Sequence, residues 1–160
     1  IIGALAILLA GFSCSEDKEV KPYTYSKIFT GETEKTWVIE QVFESKIGEE
    51  DVSIDLFQCE LDDTYTFRAD EEKSYVIQNG ASKCPVPEGE EPEPDIWLEH
   101  NWTFVNGGAA MTIAIPRIFG FFLVPFIVRD ATKDRMTLVV FADVEGTTSY
   151  KVVMRSVSEK

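Results

Sequence analysis

The sequence predicts an all-β fold, specifically an antiparallel eight-stranded up-and-down barrel. Three observations predict it. From Lys35 onward, apolar and polar residues alternate with period two rather than 3.6. Short runs rich in β-branched and aromatic residues are separated by turn residues, without alternating helical segments. The runs follow one another as a meander of eight, and closing such a meander removes its sheet edges.

The elements follow in order. Trp37–Phe43 is a first strand, and Lys46–Asp51 is a polar turn around Gly48. Val52–Leu61 mixes apolar and acidic residues, as either a short helix or an irregular cover. Thr64–Arg68 is a clear strand, and Ser74–Gln78 is the next, after the turn Ala69–Lys73; Asn79-Gly80 ends the second. Residues 85–95 (PVPEGEEPEPD) form a loop, because proline removes ladder donors and the acids repel one another. Ile96–Val105 is a strand with Trp102 and Phe104 on one face, turned by Asn106-Gly107-Gly108. Met111–Ile115, Phe121–Val128, Met136–Phe141 and Ser149–Arg155 complete the eight, with polar turns Asp130–Arg135 and Val144–Thr147 before the last two.

Residues 1–13 (IIGALAILLAGFS) are apolar and small, and Cys14 follows at once, before an acidic run. This order predicts a lipoprotein signal peptide over 1–13, with Cys14 as the lipidated residue. The apolar run is too short to span a bilayer as a helix. A methionine and a few basic residues are expected ahead of Ile1. Residues 14–29 read as a tether, with Tyr23, Tyr25, Ile28 and Phe29 able to dock on the domain, and residues 30–160 as the barrel.

The net charge is −13, and every charged residue lies after position 15. Nucleic acid is excluded as a partner, since phosphate contacts need clustered Lys and Arg. Electrostatic adhesion to anionic lipid is excluded as well. Membrane attachment is therefore expected from acyl chains on Cys14, which contribute about 0.8 kcal/mol per buried CH₂. The expected address is the cell envelope, most simply the outer membrane, with surface exposure possible.

With Cys14 acylated, Cys59 and Cys84 remain as a pair in an exported protein, where a disulfide persists. Two separate buried thiols are the alternative. One histidine and two distant cysteines do not make a zinc set, so no metal and no cofactor are expected.

The segment Cys59-Glu60-Leu61-Asp62-Asp63-Thr64-Tyr65-Thr66-Phe67, then Gly80-Ala81-Ser82-Lys83-Cys84, then Trp102-Thr103-Phe104, with Trp37 in the first strand, resembles the lipocalin-like domains of Bacteroidetes-type lipoproteins. The resemblance covers about residues 30–156. It implies a small lipid-anchored β-barrel and no established chemistry, so no functional residue carries over. The loop after Cys84 is more acidic and proline-rich than that pattern, and Ile118–Val128 is more apolar.

Asp62-Asp63 reads as a turn and cap pair rather than a calcium site. The acids of 88–95 read as a solvated run. Trp37, Tyr65, Phe67, Trp102 and Phe104 either fill the barrel or line a ligand cavity, and filling is favoured because aromatics dominate cores. His100 lacks a partnered nucleophile in any recognisable motif, so no catalytic residue and no enzyme activity are expected. Ile118–Val128 (IFGFFLVPFIV) is apolar on both faces. Either another segment covers it, or a patch containing Phe119, Phe121, Phe122 and Phe126 is exposed at a ligand portal or partner contact.

The expected function is therefore a non-enzymatic, lipid-anchored envelope protein that binds a small apolar ligand at the barrel mouth. Its candidate binding residues are Trp37, Phe67, Trp102, Phe104, Phe119, Phe121, Phe122 and Phe126. The alternative is a surface interaction module with a filled barrel: an adhesin, assembly subunit or inhibitor, its protein partner unknown.

Overall fold

A computed structural model describes residues 22–159. Cys14 and the predicted signal peptide lie outside the described residues. Helix α1 (Pro22–Thr30) precedes ten strands: β1 (Glu34–Lys46), β2 (Val52–Ile54), β3 (Thr64–Arg68), β4 (Ser74–Gln78), β5 (Ile96–Asn101), β6 (Thr103–Val105), β7 (Ala110–Ile113), β8 (Val124–Ala131), β9 (Arg135–Phe141) and β10 (Thr148–Glu159). Two single-turn α-helices, α2 (Gln58–Leu61) and α3 (Pro116–Phe119), and a 3₁₀ turn over Asn106–Gly108 interrupt the connections.

All pairings are antiparallel, in the order β5-β4-β3-β1-β10-β9-β8-β7-β6, with β2 added to β1. The two ends of that order, β5 and β6, are separated in the chain by Trp102 alone. One bent strand thus pairs β4 with its first half and β7 with its second. The sheet is a nearly closed barrel. Trp102 sits at the bend, where its N–H bonds the Lys73 carbonyl at 2.8 Å.

The expected count of eight strands is corrected to nine or ten, as the bent strand β5–β6 is counted once or twice. The predicted strand Ile96–Val105 is broken by Trp102, which changes its hydrogen-bonding neighbour. Val52–Ile54 pairs with the upper half of β1 at Val42–Glu44. The expected strand over Phe121–Val128 begins only at Val124. Pro116 opens α3 at its first position, where no amide donor is needed. Gly120 then leaves the helix at φ 62°, a conformation costly for any residue with a Cβ.

Inward positions alternate as period two demands, and they fill one end of the barrel with rings. Trp37, Phe67 and Tyr75 are fully buried, and Trp102 nearly so. Ile28 and Phe29 of α1 pack onto this cluster, and Phe29 is fully buried. Its ring lies 6.5 Å from Trp37, 6.1 Å from Phe67 and 5.7 Å from Phe104. The Trp37 Nε1–H donates to the Phe29 carbonyl at 2.9 Å. The helix therefore plugs this end through apolar contact and one satisfied indole donor. Lys35 is buried beside it, its Nζ donating to the Lys133 carbonyl and lying 4.8 Å from the Trp37 ring centroid.

Candidate functional site

The other end of the barrel is built differently. Val42 from β1, Val124 from β8, Val140 from β9 and Tyr150 from β10 occupy inward positions there. Ile54, Leu56, Ile118 and Phe119 stand over them, contributed by β2, the segment after it and α3. Together with Phe141, Ala142 and Arg117 they line a cleft of about 610 Å³. Phe119 is fixed by edge contacts to Phe126 at 5.7 Å and Tyr150 at 5.5 Å. The cleft lies within the usual size range of small-molecule sites and has the usual apolar lining.

A charged cluster borders the cleft. The Arg117 Nε–H donates to Asp63 Oδ2 at 2.9 Å. Its terminal nitrogens donate to Glu93 Oε1 at 2.8 Å, Glu93 Oε2 at 3.1 Å and Asn79 Oδ1 at 3.2 Å. Its guanidinium carbon lies 4.0 Å from the centroid of Trp97. The Arg117 side chain is 9% exposed, Asp63 2% and Glu93 14%, so the bonds are largely screened from water. Four of the five guanidinium N–H donors are bonded, and Trp97 stacks on its face.

Burial pushes the Asp63 carboxyl above its ordinary pKa, outweighing Arg117 and the Gly80 N–H that pull it down. The hydrogen bonds from Arg117 hold Glu93 below the ordinary range, because that carboxylate is better solvated. Burial opposes the charge on Arg117, but Glu93 and Asp63 outweigh it and raise its pKa. The buried Tyr65 hydroxyl has no hydrogen-bond partner among the described residues, and burial, reinforced by the Asp63 charge, raises its pKa.

The acidic loop is tied down beside this cluster. Cys59 and Cys84 form a disulfide with Cα atoms 5.1 Å apart. Asp62 Oδ2 accepts from the Ser82 N–H at 2.9 Å, and Asp63 Oδ1 from the Gly80 N–H at 3.1 Å. Both bonds reach across to the segment after β4, 20 and 17 residues on, whereas local turn and cap bonds were expected of the Asp62-Asp63 pair. A Cβ on Gly80 would stand 2.6 Å from the Asp62 carbonyl oxygen, so only glycine fits that approach. Asn79 N–H bonds the Asp95 carbonyl at 2.9 Å, and Lys83 Nζ the Glu93 carbonyl at 3.1 Å.

The predicted binding residues fall into three groups. Trp37, Phe67, Trp102 and Phe104 meet at the plugged end, packed among themselves and against Phe29. Phe119 and Phe126 meet at the mouth. Phe126 is fully buried, whereas Phe121, Phe122 and Leu123 are 61%, 77% and 42% exposed. The apolar segment is thus divided: α3 covers the mouth, β8 supplies the core, and the residues between them face solvent. Phe121 has a ring partner, Trp97, at 5.8 Å.

Arg117, Asn79 and Trp97 were not among the predicted site residues, and Glu93 belonged to a run read as solvated. One signal was present. Arg117 is the only charged residue between His100 and Arg129, and an isolated charge in an apolar stretch calls for a buried partner. Among the described residues, no group of three His, Cys, Asp or Glu side chains is arranged to hold a metal ion.

No protein-family model matches the chain, and no curated protein matches it.

Proposed function

We propose that this protein is a lipid-anchored, non-enzymatic binding protein of the cell envelope, lipocalin-like in kind, that holds a small apolar molecule at the barrel mouth. One observation carries the reading: the apolar cleft of about 610 Å³ between inward positions of β1, β8, β9 and β10 and the cover of Leu56 and Phe119. Binding there would remove apolar surface from water on both partners, at roughly 25 cal/mol per Å² before the cost of immobilising the ligand. The anchor rests on Cys14 and the apolar run before it, and the outer-membrane address rests on that anchor and on the Cys59–Cys84 disulfide.

The test is native mass spectrometry of the mature protein taken from its own envelope, with a Val140→Trp variant that fills the cleft. A co-purifying apolar molecule lost from the variant supports the reading. Protein that never carries or captures such a molecule sinks it. Mass analysis of the N-terminal peptide checks for acyl chains on Cys14.

A second reading is supported by the plugged end. Trp37, Phe67, Trp102 and Phe104 are spent on packing with Phe29, which suits a solid interaction module such as an adhesin, assembly subunit or inhibitor. Its contact surface would then include Phe121, Phe122 and Leu123. A stoichiometric protein partner recovered by crosslinking in intact cells, and lost on Phe122→Ser, would favour it.

A further inference from the structure

The charge of the described chain is sorted between the two ends of the barrel. Strand registers place segments 44–63, 79–95, 114–123 and 142–151 at the mouth, and these hold fifteen acidic and four basic side chains. Segments 26–35, 68–74, 99–110, 129–135 and 155–158 lie toward the plugged end, and these hold eight of each. The excess negative charge of the folded domain therefore surrounds the apolar cleft.

The cluster at the cleft does not offset this. Arg117 is the cation that lines it, and four of its five N–H donors are taken by Asp63, Glu93 and Asn79. An anionic head group entering beside Arg117 would have to displace a carboxylate that is already in place. Two more of the four basic side chains are also engaged, Lys83 with Asp95 and Lys151 with Asp51. Acids adjoin the lining residues. Exposed Asp55 lies between Ile54 and Leu56, and half-buried Asp143 follows Phe141 and Ala142. The Asp143 carboxylate accepts from the Thr147 hydroxyl and from the Thr147 and Thr148 N–H groups, which lower its pKa.

We infer that the mouth cleft selects a cationic amphiphile: an apolar body that fills the cleft, carrying a positive head group that remains among the rim carboxylates. The inference rests on the mouth-cleft reading and adds the charge of the ligand. The apolar walls reward a hydrocarbon chain regardless of its head group. The acidic rim decides between heads, because a low-dielectric cleft lined by one sign of charge focuses its field toward the entrance. A fatty-acid carboxylate meets that field as repulsion, and an ammonium or amidinium meets it as attraction.

Three ligands with one chain length test this: decyltrimethylammonium, decanol and decanoate, titrated below their micelle concentrations at neutral pH. Binding is read by displacement of a neutral fluorescent naphthylamine. The expected order is cation, then alcohol, then carboxylate, with about a tenfold gap between the charged pair at roughly 20 mM salt that narrows severalfold at roughly 300 mM. Val140→Trp should weaken all three. Replacing the exposed Glu49, Glu50, Glu90 and Glu91 with Gln should shrink the gap without reducing decanol binding.

Decanoate that binds as tightly as the cation, through a step that Val140→Trp abolishes, overturns the charge assignment alone. The same holds for a gap that survives the four Gln substitutions or ignores salt. No binding of any of the three, or binding indifferent to Val140→Trp, overturns the mouth-cleft reading as well.

Discussion

Arg117 and Asp63 form a buried ion pair at 2.9 Å, from residues 54 apart in the chain. It joins α3, the lid of the mouth, to the turn that begins β3. Removing one partner strands the other in a site that water barely reaches. Arg117→Met should therefore cost about 3 kcal/mol or more in denaturant unfolding. Adding Asp63→Asn to that variant should recover a good part of the loss, because the stranded charge is gone. A double variant no more stable than Arg117→Met alone would show that the pair is not the source.

Acid should release the loop that Glu93 pins. The Glu93 pKa is lowered on folding by its Arg117 bonds, so its contribution is present above the ordinary glutamate pKa and lost as pH falls through the lowered value. Asp63 runs the other way: burial raises its pKa, so proton uptake there favours the folded state as pH falls. The two oppose each other through mild acidification. Below about pH 4 the loss at Glu93 prevails, joined by Asp95 and Asp143, whose pKa values are also lowered. Amide exchange across residues 85–95 should rise in that window. In Glu93→Gln that exchange should already be fast at neutral pH.

The disulfide closes a loop of about 26 residues, so reducing it or replacing both cysteines with Ala should cost roughly 3–4 kcal/mol in the chain-entropy account. The mouth should loosen before the plugged end, since Cys84 opens the acidic loop while no ring of the Trp37 cluster depends on it. Uniform exchange along the whole chain on reduction would contradict this.

Phe29 seals the opposite end. Phe29→Ala leaves a cavity beside Trp37, Phe67 and Phe104 and should cost about 3–5 kcal/mol. Its distinguishing sign is optical. Trp37 loses part of its cover, so its emission should move to longer wavelength and become quenchable.

Phe121 and Phe122 are predicted to matter for contact and not for folding. Both are largely exposed, so changing them to Ser should alter stability by no more than about 0.5 kcal/mol. Adhesion to hydrophobic resin or dye should fall. A large loss of stability in Phe122→Ser would mean that the residue is covered.

Period-two patterning around Trp37–Phe43, Thr64–Arg68, Ser74–Gln78 and Met136–Phe141 was enough to determine a β meander, because alternation is a local consequence of the pleat. The Asn-Gly and Asp-rich turns were local too, and the pairing of Cys59 with Cys84 was legible from the cysteine count as an expectation that the disulfide meets. Three things were decided only by the tertiary structure. Whether Ile96–Val105 is one strand depends on which neighbours accept its hydrogen bonds, and the barrel closes by dividing them at Trp102. Whether the aromatics line a cavity or fill it depends on Phe29, brought in by a helix that lies outside the barrel sheet. The Arg117 cluster unites positions 63, 79, 93, 97 and 117, which no spacing along the chain relates. Alternation reports which face a residue occupies; which faces meet, and where charge gathers around a mouth, is settled only when the barrel closes.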